Sequence, residues 1–485
     1  MGCDANGELT VPQVIFYQNG IGTGSPSLYD KYIGGATGEG LAENIREAYA
    51  FICLNYSPGD EIFLVGFSRG AFTARSISSL IRAVGLLTAD GMKYFYQIFE
   101  DWEYQLKEGW STSFPNEPWS HRPPISSPEY MHKLLELELT RPDIPIKAVA
   151  VWDTVGGLGI PMIGLFPQPP SKDFSFVDTK VEPNIEHAFQ ALALDERRRS
   201  YAPTIWEKPA SQPWPKVLKQ SWFPGVHSDI GGSYSDADLA NITLAWMVSQ
   251  LSPLLDFNHD YVLKQVRLSN EKHIANKTPI RDWGLGKIHD SLTLFFRLGG
   301  TRTRTPSEYT AIDPRTFKST GKRLQNTNET VHSSVRIRMG REGLGYDDKG
   351  SYASSALQGW TMYGEETAPD TPIQQTAPGP MGAMTKVVWK KMTRGEKGRE
   401  EEIEMPEEEL GAFEKQILQL WPEIKEHFGV IRPGSDHPTR IGRGKTFPLL
   451  GRKVDGVVGR ENRRADDLRV VTGSAEQRPV RTGTV

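Results

Sequence analysis

The pattern of apolar residues changes abruptly along residues 61–85. Ile62 to Val65 form a continuous apolar run that is too short for a helix and rich in β-branched and aromatic residues, which predicts a buried parallel strand. From Ala71 to Val84 apolar residues recur at three- and four-residue intervals, and the pattern stops at Gly85. This spacing predicts a helix with one apolar face and a glycine at its end.

Between the predicted strand and helix lies a G-x-S-x-G pattern, Gly66-Phe67-Ser68-Arg69-Gly70. Its glycines allow the backbone to reverse tightly, which leaves the serine exposed in front of the helix start. Ser68 is therefore the candidate nucleophile, and the backbone N–H of Arg69 is the candidate oxyanion donor. The alternative is a tight strand-to-helix turn whose serine only caps the helix.

The rest of the N-terminal half continues this alternation of strands and helices. We predict strands at Gln13–Tyr17, Ile146–Trp152 and Val217–Phe223, and helices at Asn44–Tyr56, at Ile185–Tyr201 and after Ser235 or Asp236. Such alternation indicates an α/β fold with a mostly parallel sheet and helices on both faces. The charges from Asp195 to Arg199 are expected at a solvated end of their helix.

Two further polar residues each follow a predicted strand and precede a glycine-rich loop. They are Asp153, after Ile146–Trp152, and His227, after Val217–Phe223. With Ser68 they give the order Ser, Asp, His, which is the chain order of α/β-hydrolase triads. We expect His227 to act as the base and Asp153 to orient it. The alternatives are a purely structural histidine, His332 as the base, or Asp195 or Asp229 as the acid.

Aromatic residues are concentrated between residues 88 and 145, notably in Tyr94–Trp119. We expect this segment to be a cap inserted into a catalytic domain of residues 12–365. Its aromatic rings form either ordinary packing contacts or a lid over Ser68 that admits apolar substrates.

The C-terminal part of the chain is less regular. Residues 366–384 form a linker rich in Pro, Thr, Gly and Gln, and residues 385–432 form a charged segment with a strand at Val387–Trp389 and an amphipathic helix over Leu410–Leu420. That helix serves either as a partner surface or as a docking element on the main domain. The composition of residues 433–485 predicts a disordered, mildly basic tail.

Composition narrows the function classes. A net charge of −4 over 485 residues gives no global preference for nucleic acid. Two cysteines cannot form a disulfide framework, which favours an intracellular, cytoplasmic compartment. We find no apolar run of about 20 residues that would span a membrane, and no Cys/His spacing typical of zinc, so no metal or cofactor is expected. A nucleotide site at Gly20–Gly24 is not favoured because the Lys-Ser/Thr of a P-loop is missing.

Four motifs in this chain, GFSRGAFTAR, VWDTVGG, ALALDERRRSYAP and FPGVHSDIGGSY, occur together in one order. They resemble the uncharacterised α/β-hydrolase domains of fungi and bacteria, which are similar to the catalytic domain of type VI secretion phospholipase effectors. The resemblance covers residues 12–250, and IHDSLTLFFRLGG and NETVHSSVR resemble the fungal extension of the family. It implies an α/β-hydrolase fold, a triad of Ser68, Asp153 and His227, and hydrolysis of ester or phospholipid substrates.

One part of the family pattern is missing from the chain. Family members begin with a strand ending in an Asp-Gly-Thr-Trp-like loop, which would supply the second oxyanion N–H, and this chain starts downstream of that point. We therefore expect an exposed edge beside Glu61–Val65 and weak or absent turnover, as in an N-terminally truncated enzyme. The rival from another class is a non-catalytic interaction protein that keeps the hydrolase scaffold.

Overall fold

A computed structural model describes the chain over nine ranges, all within one compact unit. They are residues 12–19, 38–155, 179–292, 297, 300–316, 318–339, 343–366, 385–395 and 399–420. The predictions for Gly20–Gly24, for residues 367–384 of the linker and for the 433–485 tail lie outside these ranges.

Helices and strands alternate through the first half, and strands dominate the second. The helices are α1 Gly38–Asn55, α2 Arg69–Val84, α3 Phe95–Glu103, α4 Pro128–Glu136, α5 His227–Gly231, α6 Asp238–Leu251, α7 His259–Ala275, α8 Ser333–Met339 and α9 Ala412–Leu418. The strands are β1 Phe63–Phe67, β2 Leu86–Leu87, β3 Thr140–Arg141, β4 Ile146–Trp152, β5 Ile185–Ala193, β6 Val217–Phe223, β7 Thr310–Ile312, β8 Ser319–Arg323, β9 Glu329–His332, β10 Thr361–Glu366, β11 Thr385–Arg394 and β12 Glu400–Glu408.

An eight-stranded sheet forms the centre of the fold, in the order β1-β4-β5-β6-β9-β12-β11-β10. The pairs from β1 to β12 are parallel, and the last two pairs are antiparallel. The predicted class, α/β with a mostly parallel sheet, is therefore confirmed. Parallel strands present their carboxyl ends at one edge of the sheet, where ligand sites of such folds lie.

Both faces of the sheet are covered at β4, because neighbouring residues of this strand belong to different cores. Ala148 and Ala150 pack into the core beneath α6, whereas Val149 and Val151 pack into the core beneath α1 and α2. All four are at most 1% exposed. This two-sided burial explains why β4 has an unbroken apolar sequence, and the predicted bounds of β4 and β6 agree with the structure.

Two predicted elements are wrong. Ile185–Tyr201 is not a helix, since Ile185–Ala193 forms the central strand β5 between β4 and β6. Its Ala, Leu and Gln residues favour helices, but burial on both faces overrides that preference. Gln13–Tyr17 is irregular rather than a strand, and Ile15 and Tyr17 are more than 80% exposed.

The aromatic segment packs at the end of α2 that is remote from Ser68. The hydroxyl of Tyr49 donates to the carbonyl of Gly85 over 2.8 Å, and the ring of Phe95 stacks on Tyr49 with centroids 5.1 Å apart. The guanidinium of Arg46 lies 5.4 Å from the ring of Phe99. A helix with the 16 residues of α2 is about 24 Å long. The prediction that these rings cover Ser68 as a lid is therefore wrong.

Helix α9 docks onto the main domain. Phe413, Ile417 and Leu418 of α9 are buried in the same core as Trp246 of α6. The charged run before it forms β12, which extends the sheet next to β9. The sequence allows two roles for this helix, a partner surface or a docking element. In the structure its apolar face docks onto the main domain.

Strand β1 lies at the border of the described sheet. It pairs with β4, and no second partner occurs among the described residues. Val65 on this strand is 57% exposed, so one face of β1 is open to solvent at this position. The expected exposed edge beside Glu61–Val65 stays a prediction.

The turn from β1 to α2 brings the backbone of Gly66 against the first turn of the helix. A Cβ atom on Gly66 would lie 2.7 Å from the amide nitrogen of Ala71 and closer still to the carbonyl of Gly70. Ser68 itself has φ 60 and ψ −120, a conformation that a non-glycine residue rarely adopts. The turn therefore depends on Gly66 and holds Ser68 under backbone strain.

We predict that Gly66→Ala lowers the free energy of unfolding by about 2–3 kcal/mol, since the clash involves backbone that no side-chain rotation relieves. Urea unfolding of the purified variant measures this change. Gly70→Ala is the matched control: a Cβ there meets nothing within 4 Å, and alanine favours the helix, so its stability should be equal or higher. Equal losses for the two variants would contradict this account of the turn.

Candidate active site

Three residues that are far apart in the sequence meet at the carboxyl edge of the parallel strands. Nε2 of His227 lies 2.8 Å from Oγ of Ser68, and Nδ1 of His227 lies 2.6 Å from Oδ2 of Asp153. The structure thus brings together the three residues that the sequence singles out. The arrangement is a chain of two hydrogen bonds from a hydroxyl through an imidazole to a carboxylate.

Neighbouring strands position the serine and the acid. The amide of Ser68 donates to the carbonyl of Trp152 over 3.0 Å, and the amide of Asp153 donates to Ala191 over 2.8 Å. These bonds continue the β1–β4 and β4–β5 ladders by one residue beyond the regular pairing. Asp153 has φ 44, so the chain turns sharply where the ladder ends.

Asp153 is completely buried and carries a second charged partner. Its Oδ2 accepts a hydrogen bond of 2.8 Å from Nη2 of Arg304, its Oδ1 accepts one from Nη1, and the amide of Ala193 donates to Oδ1 over 3.0 Å. Burial alone raises the pKa of Asp153, but the Arg304 cation and the bond from His227 outweigh it and hold the pKa well below its usual value. Burial likewise lowers the pKa of Arg304, and the carboxylate more than restores it.

The turn before His227 is held by Asp195 and Glu196. The amide of Gly225 donates to Oδ2 of Asp195 over 2.7 Å, and the amide of His227 donates to Oε2 of Glu196 over 3.2 Å. Both acids are only 1% exposed, so the prediction that they form a solvated helix end is wrong. The buried amides of the turn need acceptors, and these two carboxylates supply them.

Aromatic rings enclose the imidazole. The ring of Phe67 lies 4.7 Å from that of His227, and the ring of Tyr201 lies 4.9 Å from it in an edge-on arrangement. Gly231 leaves room for Phe67, because a Cβ at this position would overlap the phenyl ring. These contacts restrict the imidazole to the orientation that faces Ser68.

The two runner-up acids, Asp229 and Asp195, have other partners. Oδ1 of Asp229 lies 2.6 Å from Nδ1 of His289, and its Oδ2 accepts a bond of 2.9 Å from the amide of Val226. Asp195 accepts the hydroxyl of Tyr352 over 2.9 Å, in addition to the amide of Gly225. These contacts serve the loop around His227, and Asp153 is the acid in contact with Nδ1 of that histidine.

Both ring nitrogens of His332 are already engaged. Nδ1 lies 2.7 Å from Oγ of Ser334, and Nε2 lies 2.9 Å from Oε1 of Glu414. His332, Ser334 and Glu414 are all 0% exposed. The contacts link β9 to α9, which leaves no ring nitrogen of His332 for Ser68.

Sequence reasoning missed two residues of the site, Arg304 and Glu196. Arg304 lies in the segment TRTRT, which has no glycine, strand end or helical period to mark it. Glu196 belongs to one of the motifs behind the family resemblance, but the predicted helix placed it in solvent. A strand ending at Ala193 would have predicted an acid at the functional edge.

Among the described residues, one group of side chains has a spacing that suits a metal ion. Ligand atoms of Asp236, Asp238 and His273 lie within 4.8 Å of one another. Nε2 of His273 lies 3.0 Å from Oδ2 of Asp238, and Ser269 donates to Oδ1 of Asp238 over 2.7 Å. This pairing between α6 and α7 satisfies the carboxylate without a cation.

Comparison with known proteins identifies the family. Residues 2–250 match the family described as "T6SS, Phospholipase effector Tle1-like, catalytic domain", and the chain belongs to it. The chain is also similar to the uncharacterized protein YEL023C of Saccharomyces cerevisiae, with 28% identity over 205 residues. That match covers 39% of this chain and 26% of the yeast protein, so the chain spans about a quarter of that relative. Within the described residues, every helix is too short or too polar to cross a membrane.

We predict that Asp153→Asn lowers the free energy of unfolding at neutral pH by about 3–5 kcal/mol, since it leaves the Arg304 cation buried without its counter-charge. Because the pKa of Asp153 is depressed in the fold, its contribution is complete above the ordinary Asp value of about 4 and fades as the pH falls below it. The loss measured by urea unfolding should therefore shrink at lower pH.

Asp195→Asn is the matched control for this prediction. Asp195 is equally buried, but burial raises its pKa, and an asparagine oxygen still accepts from Gly225 and Tyr352. We expect a loss of about 1 kcal/mol. A larger loss for Asp195→Asn than for Asp153→Asn would contradict the proposed charge balance.

Proposed function

We propose that this member of the Tle1-like phospholipase effector family is a serine hydrolase that cleaves carboxylic esters of lipids, with phospholipids as the main substrate class. The observation that carries the proposal is the hydrogen-bonded chain from Ser68 through His227 to Asp153. A serine at a strained strand-to-helix turn, with an imidazole within hydrogen-bond distance, has the geometry of an activated nucleophile.

In the proposed reaction Ser68 Oγ attacks the acyl carbonyl carbon, and Nε2 of His227 takes the serine proton. The tetrahedral intermediate then collapses, the alcohol leaves with the proton from His227, and an acyl-serine remains. A water molecule repeats the sequence, which releases the carboxylic acid and regenerates Ser68. The Asp153 carboxylate keeps the proton on Nδ1 and stabilises the imidazolium cation in each step.

The oxyanion requires hydrogen-bond donors close to Ser68. Arg69 is the first residue of α2, and backbone N–H groups at a helix start point out of the helix toward its N-terminal end. We assign the first donor to the backbone N–H of Arg69. Loss of one such donor typically raises the barrier by about 3–4 kcal/mol, so turnover depends strongly on a second donor.

The substrate class rests on the family rather than on the cap. The aromatic rings of residues 94–119 pack against α1 and α4, so they give no support for an apolar lid. Phospholipase effectors form the family to which residues 2–250 belong. Lipid esters are therefore the first substrates to test, followed by short-chain esters.

We predict that a fluorophosphonate probe labels the folded protein and that Ser68→Ala abolishes the labelling, because the probe forms a bond to an activated serine oxygen and releases fluoride. In-gel fluorescence of the labelled protein measures it. Ser76→Ala is the matched control, since Ser76 lies on the same helix but is fully buried. Failure of the folded wild type to react would favour the non-catalytic scaffold.

We also predict different effects on the rate for two buried histidines. His227→Gln should lower the rate of ester hydrolysis per folded molecule by about 10⁴-fold or more, since it removes the proposed base. His332→Gln should lower stability and leave the rate per folded molecule within about threefold, since it disturbs the contacts with Ser334 and Glu414 and none with Ser68. Phospholipid and p-nitrophenyl ester assays together with urea unfolding test both outcomes. A large rate loss in His332→Gln alone would overturn the assignment.

A further inference from the structure

Arg304 binds the same carboxylate that contacts His227. Its guanidinium bonds both oxygens of Asp153, and it also donates to the carbonyls of Ala193 and Tyr201, over 2.7 and 2.8 Å. It is 3% exposed. A planar guanidinium that makes two parallel bonds fixes a carboxylate in both position and rotation.

The same contact changes the charge that faces His227. In a Ser–His–Asp site the carboxylate favours the imidazolium form, because opposite charges lie close together. A cation bound to that carboxylate, here in part through the Oδ2 atom that contacts His227, cancels part of its field. Removal of that cation would expose the imidazole to the full field of the carboxylate, which favours the charged form of the ring.

We propose that Arg304 is a positioning residue that fixes the Asp153 carboxylate and extends the activity of the site toward acidic pH. This inference rests on the proposed role of Ser68, His227 and Asp153. It adds a fourth residue, supplied by a segment about 150 positions after Asp153.

The other charged groups around His227 are largely compensated by neighbours of their own. Glu196, which accepts the amide of His227, forms an ion pair of 2.7 Å with Arg198. Asp229 pairs with His289. The guanidinium of Arg198 also lies over the ring of Tyr201. Arg69, the first residue of α2, is a further cation of this region, and burial lowers its pKa.

Among these groups, Arg304 is the cation in direct contact with Asp153. Its removal should therefore change the pH dependence of the site more than removal of any of the others.

The test is the pH dependence of p-nitrophenyl butyrate hydrolysis by the wild type, Arg304→Gln and Arg304→Lys. We expect Arg304→Gln to move the midpoint of the acid limb about one pH unit higher and to lower the maximal rate, since the unopposed carboxylate favours the imidazolium. Arg304→Lys keeps the charge but not the paired bonds. Its midpoint should stay within about 0.3 unit of the wild type while its maximal rate falls about tenfold.

Arg338→Lys is the matched control. Arg338 is a buried arginine that donates to the carbonyls of Leu344 and Gly286, away from Asp153. It should change stability without moving the midpoint.

Each outcome has a distinct meaning. A wild type that neither hydrolyses the ester nor reacts with a fluorophosphonate overturns the proposed function itself. An active wild type with an unchanged midpoint in Arg304→Gln overturns the inference about Arg304 alone. Should Arg304→Gln not fold, Arg304→Lys decides: a shifted midpoint, or a maximal rate equal to that of the wild type, overturns the inference.

Discussion

A fully buried carboxylate sets the main constraint on the functional edge of this protein. A charge such as that of Asp153 is costly to remove from water unless hydrogen bonds and an opposite charge compensate it. Here His227, Arg304 and the amide of Ala193 provide that compensation. The loop after β6, the segment around Arg304 and the end of β5 must therefore all arrive at the end of β4. Accurate placement of His227 beside Ser68 follows from the same requirement.

The sequence predicts those residues of the site that lie next to a recognisable motif, such as a strand end or a glycine turn. Asp153 and His227 follow strands that the sequence predicts with their observed bounds, and Gly66 marks the turn that carries Ser68. The sequence predicts a helix in place of the central strand β5 because Ala, Leu and Gln are helix formers. Burial of β5 between β4 and β6 overrides that preference. The sequence does not predict the role of Arg304 because its partner, Asp153, lies about 150 residues away in the chain, and no local motif indicates that contact.

Two histidine sites in the fold show why residue type alone does not identify chemistry. His332 has a serine and a carboxylate at hydrogen-bond distance, as His227 does. All three members of the His332 group are completely buried between β9 and α9, where they hold α9 to the sheet. His227 instead contacts a serine held at a strained strand-to-helix turn. Both histidines follow or end a parallel strand, and exposure of the serine separates them: Ser334 is 0% exposed, whereas Ser68 is only half-buried.

The central claim is that Ser68 is a nucleophile activated by His227. The most direct measurement is peptide mass spectrometry of the wild type after treatment with diisopropyl fluorophosphate. Cleavage after Arg46 and Arg69 gives one tryptic peptide that contains Ser68 and also Ser57, which fragment ions distinguish. The account predicts one phosphoryl adduct per molecule, on Ser68, and its loss in His227→Gln. An adduct on another residue, or none on folded protein, would contradict it.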